Sequence, residues 1–390
     1  MSPWRRAKPS GRDDNVLVDY WYSHAVGHVV EALRVCAGYY AADASVRPSL
    51  VLNGASPVEL ASCVPFVERT YPVSYTSFGQ PVGSPKAALR AIPRDWDYVL
   101  HHHAATDEYH ARFPGIRRYY DASRRHFRAR VARGTAGQPP PPYARHQRLR
   151  LELPTAERER ARHALGGRAS IAVMPAGSGA RYLYPSSASW NLVLDALEAS
   201  LAGVVFTFVG RVRAEGGRTA SGIARDELDG LLATRAAAVD AFDRPILEQL
   251  AAVEASSLFV SPHTGFGFAA TAVGTPWLTL SGGDWHEYFF NGVPFHSVVP
   301  MTSEYPVFAQ GEAMPMLDAD VDGEGPRARV MSSERFRRDL PEICEAAQAL
   351  VAGRVSYEDA LAAYFPRLLD AYGGDRSRIA TFEDVHLDHL

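Results

Sequence analysis

Four consecutive prolines, Pro139–Pro142, interrupt the chain near its middle, within the segment GTAGQPPPPYARH (134–146). Proline fixes the backbone angle φ and has no N–H to donate, so such a run forms neither a helix interior nor a central strand. We therefore predict a stiff linker over 134–150. Because 390 residues are more than a single core usually holds, the linker is expected to join two domains, 15–133 and 151–334.

The sequence before the linker alternates short apolar segments with helical periodicity. Apolar segments typical of buried parallel strands occupy 15–20, 49–52 and 97–101. Apolar residues recur at helical spacing over 25–41, and an arginine-rich helix is predicted over 117–131. This β-α-β series predicts a parallel sheet wrapped by helices.

The sequence after the linker repeats the pattern. Strands are predicted at 170–174, 204–209, 258–261 and 277–280. Helices are expected after Ser186 or Ser187, over 266–273 and, as a pair, over 335–372, with the stretch 335–390 packing across both domains. The predicted fold class is therefore α/β, with two Rossmann-like domains and a cleft between them where ligands bind.

Composition indicates a globular protein, because 46% of the residues are hydrophobic and 22% are charged. No apolar run reaches the roughly 18 residues that a membrane-spanning helix needs. The polar segment 1–14 is expected to be a disordered tail and not a signal peptide. Cys36, Cys63 and Cys344 have no paired spacing, which excludes a cysteine-based zinc site and favours the reducing cytoplasm.

Charge is unevenly distributed: residues 1–150 carry a formal charge of +9 and residues 151–390 carry −12. Two domains of opposite sign that face each other would explain this difference. A basic surface can also bind a polyanion, and 112–150 contains 11 arginines and one acid, Asp121. An RNA- or polyanion-binding protein, whose affinity should fall steeply with salt, is therefore an alternative.

Two loops that follow predicted strands of the second domain suit an anion. In the first, PAGSGAR (175–181), glycine backbones can approach a phosphate, a serine hydroxyl can donate and an arginine can pair with the charge. This loop is neither a Walker loop nor a dinucleotide fingerprint, and Gly-Ser-Gly is also an ordinary turn. The phosphate ligands predicted in it are Gly177, Ser178, Gly179 and Arg181.

The second loop, within 261–270, leaves a strand and opens a helix of small residues. Such a turn directs backbone N–H groups and the positive end of the helix dipole at one point, which favours an anion. A tight turn packed on the sheet is the alternative. The predicted ligands are His263, Thr264, Gly265, Phe266 and Gly267. A third loop, SGGDWH (281–286), offers Asp284 to hydroxyl groups and Trp285 to a ring, although Gly-Gly-Asp is also a plain turn.

Histidines cluster at the predicted carboxyl edge of the first sheet. His24 and His28 lie between the first strand and its helix, and imidazole suits proton transfer near neutrality. The run His101-His102-His103 looks like a metal site, but successive strand residues point to opposite faces, so the three rings cannot bind one ion there. We therefore predict no metal.

These loops together resemble the heptosyltransferase-like branch of the GT-B glycosyltransferases. The stretches that carry the resemblance are MPAGSGARYLYPSSASWNLVLDAL (174–197) and SPHTGFGFAATAVGTPWLTLSG (261–282). In that family a Pro-Gly-Ser phosphate loop precedes a Trp-Pro helix, and an Asp-Thr-Gly turn precedes an alanine-rich helix. His263 stands here in place of the aspartate. The helix GHVVEAL (27–33) instead resembles the Gly-His helix of natural-product glycosyltransferases, whose histidine is the base.

The resemblance implies the GT-B fold, with a nucleotide-sugar donor in the C-terminal domain and an acceptor in the N-terminal domain. It also implies no divalent metal and no cofactor, because helix N-termini and basic side chains bear the diphosphate charge. The family's Lys-Arg pair is Tyr182-Leu183 here, so phosphate pairing would fall to Arg181. On this basis Asp284 is expected to bind the donor. The expected acceptor contacts are His101, His102, His103 and Trp285.

The sequence therefore predicts a cytoplasmic glycosyltransferase that moves a sugar from a nucleotide sugar to a hydroxyl or amine of a small molecule, in natural-product or antibiotic biosynthesis. His28 is the predicted general base, kept neutral by the positive end of the helix dipole, with His24 as its rival. The alternative enzyme is a nucleotide-sugar epimerase or hydrolase of the same fold, which needs no acceptor.

Overall fold

The computed structural model describes residues 15–22, 25–77, 80–102, 114–214, 219–282, 291–305, 317–318 and 327–379. The tail predicted over 1–14 lies outside these residues. The chain divides into two compact units, Met1–Leu149 and Arg150–Leu390, and each is built on its own parallel sheet.

The first unit contains a five-stranded sheet in the order β3-β2-β1-β6-β7, with all neighbours parallel. Its strands are β1 (Val16–Asp19), β2 (Ser49–Asn53), β3 (Arg69–Val73), β6 (Asp95–His101) and β7 (Arg128–Thr135), beside a ribbon of β4 (Thr76–Ser77) and β5 (Gln80–Pro81). Its helices are α1 (Val26–Ala42), α2 (Pro85–Ala88) and α3 (Pro114–His126), with 3-10 turns at Val58–Cys63 and Leu89–Ala91. β1 is buried along its whole length, as in a parallel sheet covered on both faces.

The predicted β-α-β order of this unit is confirmed, whereas the helix predicted over 117–131 is wrong at its end. α3 stops at His126, and the chain continues as β7, which pairs with β6 from Asp95 to His101. These residues form a strand because they pair with β6 at the edge of the sheet, although arginine and alanine favour a helix. Tertiary contact overrides local propensity here.

The proline-rich segment packs on the first unit. The linker predicted over 134–150 begins inside β7, which ends at Thr135. Further along, a Cβ on Gly38 of α1 would lie 2.3 Å from the Tyr143 ring, and the N–H of Ala144 donates to the Gly38 carbonyl at 2.9 Å. This part of the segment is therefore held against α1 and is not a free spacer.

The second unit contains a six-stranded parallel sheet in the order β10-β9-β8-β11-β12-β13. Its strands are β8 (Ser170–Val173), β9 (Val205–Phe208), β10 (Ala238–Asp240), β11 (Leu258–Pro262), β12 (Trp277–Leu280) and β13 (Phe295–Ser297), beside a ribbon of β14 (Leu317–Asp318) and β15 (Arg327–Ala328). Its helices are α4 (Thr155–Leu165), α5 (Ser187–Ser200), α6 (Arg225–Ala233), α7 (Ile246–Glu254), α8 (Gly265–Ala272), α9 (Ser333–Val351) and α10 (Tyr357–Ala371), with 3-10 turns at Arg181–Leu183, Arg329–Met331 and Arg376–Arg378.

The strand order of both sheets fixes where ligands can bind. The direction of strand order reverses between β1 and β6 in the first sheet and between β8 and β11 in the second. At such a reversal, the loops that follow the two neighbouring strands run to opposite faces of the sheet. They leave a crevice between them, where α/β proteins bind ligands. The functional search therefore starts at these two edges.

The C-terminal helices belong to the second unit. α9 packs against α5 and α10 packs against β13, which confirms the two predicted helices, while their packing across both domains stays a prediction. α5 begins as predicted after Ser186, whose hydroxyl accepts the N–H of Ser189. Among the helices that the structure describes, none combines the length and the apolar character needed to cross a membrane.

Candidate functional site

The carboxyl ends of β1 and β6 enclose a buried carboxylate. Asp19 ends β1, and its side chain accepts hydrogen bonds from Tyr119 Oη (2.9 Å), Ser123 Oγ (2.5 Å) and His101 Nδ1 (3.1 Å). Arg133 Nη1 lies 3.3 Å from the other ring nitrogen of His101 and donates to it. Because both ring nitrogens are engaged, we assign His101 to holding β6 in place. Its predicted contact with an acceptor stays a prediction.

His28 pairs with a carboxylate of its own helix. It lies in the first turn of α1, its side chain is 37% exposed, and its Nδ1 is 3.3 Å from Oε2 of Glu31. A proton on Nδ1 points at Glu31 and leaves a lone pair on Nε2, which is the tautomer that a base needs. Sequence reasoning missed Glu31, although it lies three positions after His28 and residues at that spacing share a helix face.

Two tyrosines hold this pair and a neighbouring histidine. Tyr20 Oη donates to Oε1 of Glu31 at 2.8 Å, and burial together with that carboxylate raises the pKa of Tyr20 well above its ordinary value, so the hydroxyl keeps its proton. The Tyr22 ring stacks on His102 with 4.7 Å between centroids, and His102 meets His28 edge-on at 5.9 Å. His28, Glu31 and His102 therefore form one cluster.

The consecutive histidines separate as the alternation along a strand predicts. His101 faces Asp19, whereas the buried ring of His102 lies against Tyr20 and the stacked tyrosine beside it. The structure thus brings His28 and His102 together and directs His101 elsewhere. His24 and His103 lie outside the described residues.

In the second unit, the loops that follow β8 and β11 meet. Gly177 belongs to the first loop, and a Cβ on it would lie 3.1 Å from Thr264 Cγ2 of the second loop and 2.8 Å from Tyr184 Oη. The hydroxyl of Thr264 also lies 3.8 Å from the sulfur of Met174. A side chain at this position would force Tyr184 or Thr264 to shift, so glycine allows the close approach. The two loops, which the sequence analysis identified separately, therefore form one surface.

Tyr184 fixes the shape of the first loop. Its hydroxyl accepts the N–H of Gly179 at 2.6 Å, and the carbonyl of Gly177 accepts the N–H of Gly222, also at 2.6 Å. The Gly179 N–H is thus bonded within the protein, which differs from the predicted phosphate contact of this glycine. Ser178 is exposed at the tip of the loop.

Arg181 is the last residue of the first loop, and its side chain is already paired. Its guanidinium donates to Glu227 of α6, whose carboxylate also accepts the N–H of Ala224 at 2.7 Å. The carbonyl of Arg181 accepts a hydrogen bond from the buried side chain of Arg327 at 3.2 Å. Sequence reasoning missed both neighbours, because Arg327 lies 146 residues further along the chain and no local pattern links it to the loop.

α8 starts at the end of the second loop. Thr264 is its N-cap residue, and Gly265 and Phe266 lie in its first turn, where backbone N–H groups are available to an anion. Gly267 has a packing role, because a Cβ there would lie 2.2 Å from the buried ring of Trp277. His263 is half-buried, with its ring 5.9 Å from that of Phe268.

A cavity of about 500 Å³ lies beside the first loop, at the carboxyl ends of β9 and β10. The loop after β9 is held by Asp243, whose carboxylate accepts the N–H groups of Val212 (3.0 Å) and Arg213 (3.1 Å). The lining residues are Val212, Arg213, Ile223, Ala224, Arg225 and Asp243. The sequence analysis did not single out the loop after β9 and therefore missed this cavity.

The third predicted loop is described only at its start. Only Ser281 and Gly282 of this loop are described. The Ser281 carbonyl accepts a hydrogen bond at 2.9 Å from the fully buried guanidinium of Arg335 in α9, which also donates to the Val298 carbonyl at 2.5 Å. This arginine ties together the carboxyl ends of β12 and β13. Asp284 and Trp285 lie outside the described residues.

Comparison with known proteins gives the fold a context. No protein-family model matches the sequence, and no curated protein matches it either. Solved structures do match. The glycosyl transferase family 9 protein from Veillonella parvula DSM 2008 has a TM-score of 0.57 and 14% identity, over 87% of this chain and 98% of that one. The E. coli ADP-heptose lps heptosyltransferase II has a TM-score of 0.51 and 15% identity, over 87% of this chain and 99% of that one. The chain therefore has the GT-B fold of these glycosyltransferases, with two Rossmann-like domains.

Proposed function

We propose that this chain is a glycosyltransferase that moves a sugar from a nucleotide-activated donor to a hydroxyl or amine of a small-molecule acceptor. The observation that carries the proposal is the contact between Gly177 and Thr264, which joins two loops at the carboxyl edge of the second sheet. The chain shares the fold of known glycosyltransferases. The N-terminus of α8 lies at this edge, where α/β folds bind ligands, which supports a diphosphate site there.

The second unit supplies the donor site in this proposal. The first turn of α8 directs the N–H groups of Gly265 and Phe266 and the positive end of the helix dipole toward the diphosphate. Arg181 adds positive charge, which it shares with Glu227. His263, which directly follows β11, is half-buried beside this turn. These groups carry the phosphate charge without a divalent ion, so we propose a metal-independent transfer.

The cavity beside the first loop suits the nucleoside of the donor. Its volume of about 500 Å³ lies within the range of small-molecule sites, roughly 300–1,000 Å³. The hydrogen bond between Gly222 and Gly177 connects the segment that lines this cavity to the first loop, which we propose binds the phosphates. ADP is the first nucleotide to test, because the E. coli structure is that of an ADP-heptose enzyme.

The first unit supplies the base. A hydroxyl is a poor nucleophile at neutral pH, so its proton must be removed as the new bond to the sugar forms. His28 is half-exposed and its Nδ1 faces Glu31, which leaves Nε2 to take that proton. The resemblance of the helix 27–33 to natural-product glycosyltransferases supports a small acceptor.

Arginine variants test the donor site. Loss of a charge-assisted hydrogen bond costs about 1.5–3 kcal/mol, so Arg181→Ala should weaken ADP or its matching nucleotide about 10- to 150-fold in calorimetry. The control is Arg160→Ala, which removes an exposed arginine of the same unit that is likewise paired with a glutamate. Unchanged affinity in Arg181→Ala would show that the phosphates bind elsewhere.

Histidine variants test the base. His28→Ala should lower turnover about 10²–10⁴-fold and leave nucleotide affinity unchanged. Turnover is measured as nucleoside diphosphate released in the presence of a panel of hydroxyl- and amine-bearing small molecules. His163→Ala, at an exposed position of α4, is the control. A His28→Ala enzyme within about threefold of wild type beside an inactive His24→Ala enzyme would transfer the role to His24.

A further inference from the structure

His28, Glu31 and His102 present three ligand atoms of the kinds that transition metals prefer. Within the part of the chain that the structure describes, one imidazole nitrogen from each histidine and one carboxylate oxygen lie within 4.8 Å of one another. Glu31 and His102 are buried, and the side chain of His28 is 37% exposed, so one side of the group is open to solvent.

The spacing of the cluster is close to that of a metal site. Ligand atoms about 2.0–2.2 Å from a tetrahedral ion lie roughly 3.3–3.6 Å from one another. Nδ1 of His28 and Oε2 of Glu31 are 3.3 Å apart, so these two atoms already have the required separation. The ligand nitrogen of His102 lies within 4.8 Å of both atoms, so metal binding requires it to approach them by up to about 1.5 Å.

Residues around the cluster orient its ligands. Tyr20 donates to Oε1 of Glu31, which turns the other oxygen toward His28. Tyr22 stacks on one face of His102 and Tyr20 meets it edge-on, with 4.7 Å between centroids in both contacts. Such partners fix the orientation of metal ligands and raise the affinity of a site.

We propose that His28, Glu31 and His102 bind one divalent transition-metal ion of the zinc class, and that the bound ion inhibits sugar transfer. Two imidazoles and one carboxylate suit Zn²⁺, Co²⁺ or Ni²⁺, whereas Mg²⁺ and Ca²⁺ prefer oxygen ligands alone. Solvent completes the coordination on the open side.

The inhibition follows from the chemistry of imidazole, and it rests on the proposed role of His28 as the base. An ion bound to Nδ1 takes the position of the proton that faces Glu31, and the neutral ring then carries its proton on Nε2. With no lone pair on Nε2, His28 cannot accept a proton from the acceptor. Metal binding and proton transfer therefore exclude each other.

Binding is tested without any reference to activity. The untagged full-length chain, stripped with EDTA and dialysed, is titrated with Co²⁺ while the visible absorption is followed, and with Zn²⁺ by calorimetry. We expect one ion per chain and tetrahedral Co²⁺ bands. His28→Asn should lower the affinity at least about 10-fold, and Tyr20→Phe, which removes only the hydroxyl that orients Glu31, about 10- to 100-fold. His163→Ala, at an exposed position in the second unit, should bind as wild type does.

The outcomes separate the site from its effect. Absence of stoichiometric binding, or wild-type affinity in both His28→Asn and Tyr20→Phe, overturns the proposal. His28 is half-exposed, so its replacement tests the site without removing a core side chain. For inhibition, Zn²⁺ should stop transfer by wild type with a midpoint concentration equal to the Kd from calorimetry. In His102→Gln, with activity expressed as a fraction of that variant's own metal-free rate, the midpoint Zn²⁺ concentration should rise at least about 10-fold. Full activity at saturating Zn²⁺ overturns the inhibitory role, whereas a chain that binds Zn²⁺ but transfers no sugar contradicts the proposed function alone.

Discussion

Replacement of Glu31 with glutamine tests whether a carboxylate orients the base. Oε2 of Glu31 lies 3.3 Å from Nδ1 of His28, and Oε1 accepts a hydrogen bond from Tyr20 at 2.8 Å. Glutamine has the same size and its amide oxygen can still accept from the tyrosine. The substitution therefore removes the negative charge that faces the imidazole and leaves an amide in its place, which holds the proton on Nδ1 far less well.

The size of the effect follows from this geometry. A hydrogen bond to a charged group is worth about 1.5–3 kcal/mol, which corresponds to a factor of about 10–150 in rate. The bond is long at 3.3 Å and the His28 side chain is 37% exposed, so water screens it and the lower part of that range applies. We expect Glu31→Gln to lower kcat about 10- to 30-fold. The Kd for the nucleotide should not change, because the proposed donor loops belong to the second unit.

The assay is steady-state release of nucleoside diphosphate with EDTA present, so that metal binding to the same residues does not contribute. Glu68→Gln, at an exposed position of the first unit, is the matched control, and thermal unfolding verifies that both variants are folded. A folded Glu31→Gln enzyme with kcat within twofold of wild type would refute the orienting role of Glu31.

Two further predictions concern stability. Gly267→Ala should destabilise the protein by about 1–3 kcal/mol in denaturant unfolding, because the added Cβ would overlap the Trp277 ring. Gly230→Ala is the control, because a Cβ at that position meets open space, and it should not destabilise the protein. Equal stability of the two variants would contradict the packing role of Gly267. Burial alone would raise the pKa of Glu342, but hydrogen bonds from His296 and a neighbouring arginine hold it below its ordinary value. Wild type should thus be more stable than Glu342→Gln above the unfolded-state pKa of about 4.5, and this advantage should be lost as pH falls through the lower folded-state pKa. Unfolding curves measured across that pH range test this, and an advantage that stays constant with pH would contradict it.

Sequence reasoning located the sheets and the loops at their carboxyl edges because both leave local signals. Apolar runs marked β8 and β11, and glycines marked the turns that follow them, so the surface that contains Gly177 and Thr264 was predicted as two separate loops. Their contact depends on the reversal of strand order between β8 and β11, which is a property of topology and not of either segment.

Features that depend on distant partners could not be predicted. The first half of β7 is predicted as helix because its pairing with β6 leaves no signal in its own arginine-rich sequence. The neighbours of Arg181 come from α6 and β15. The dyad of His28 and Glu31 is different, since both residues lie on one helix at a spacing that the sequence displays, and attention to carboxylates near His28 would have found it.

Calorimetric titration with UDP, GDP, ADP, CDP and TDP, in buffer that contains EDTA, is a direct test of the proposed donor site. We expect at least one of them to bind saturably at one site per chain without a divalent ion. At 100 times its Kd, that nucleotide should stabilise the folded state by about 2.7 kcal/mol. If none of the five binds, or if binding appears only when a divalent metal is restored, the proposed metal-independent donor site is contradicted.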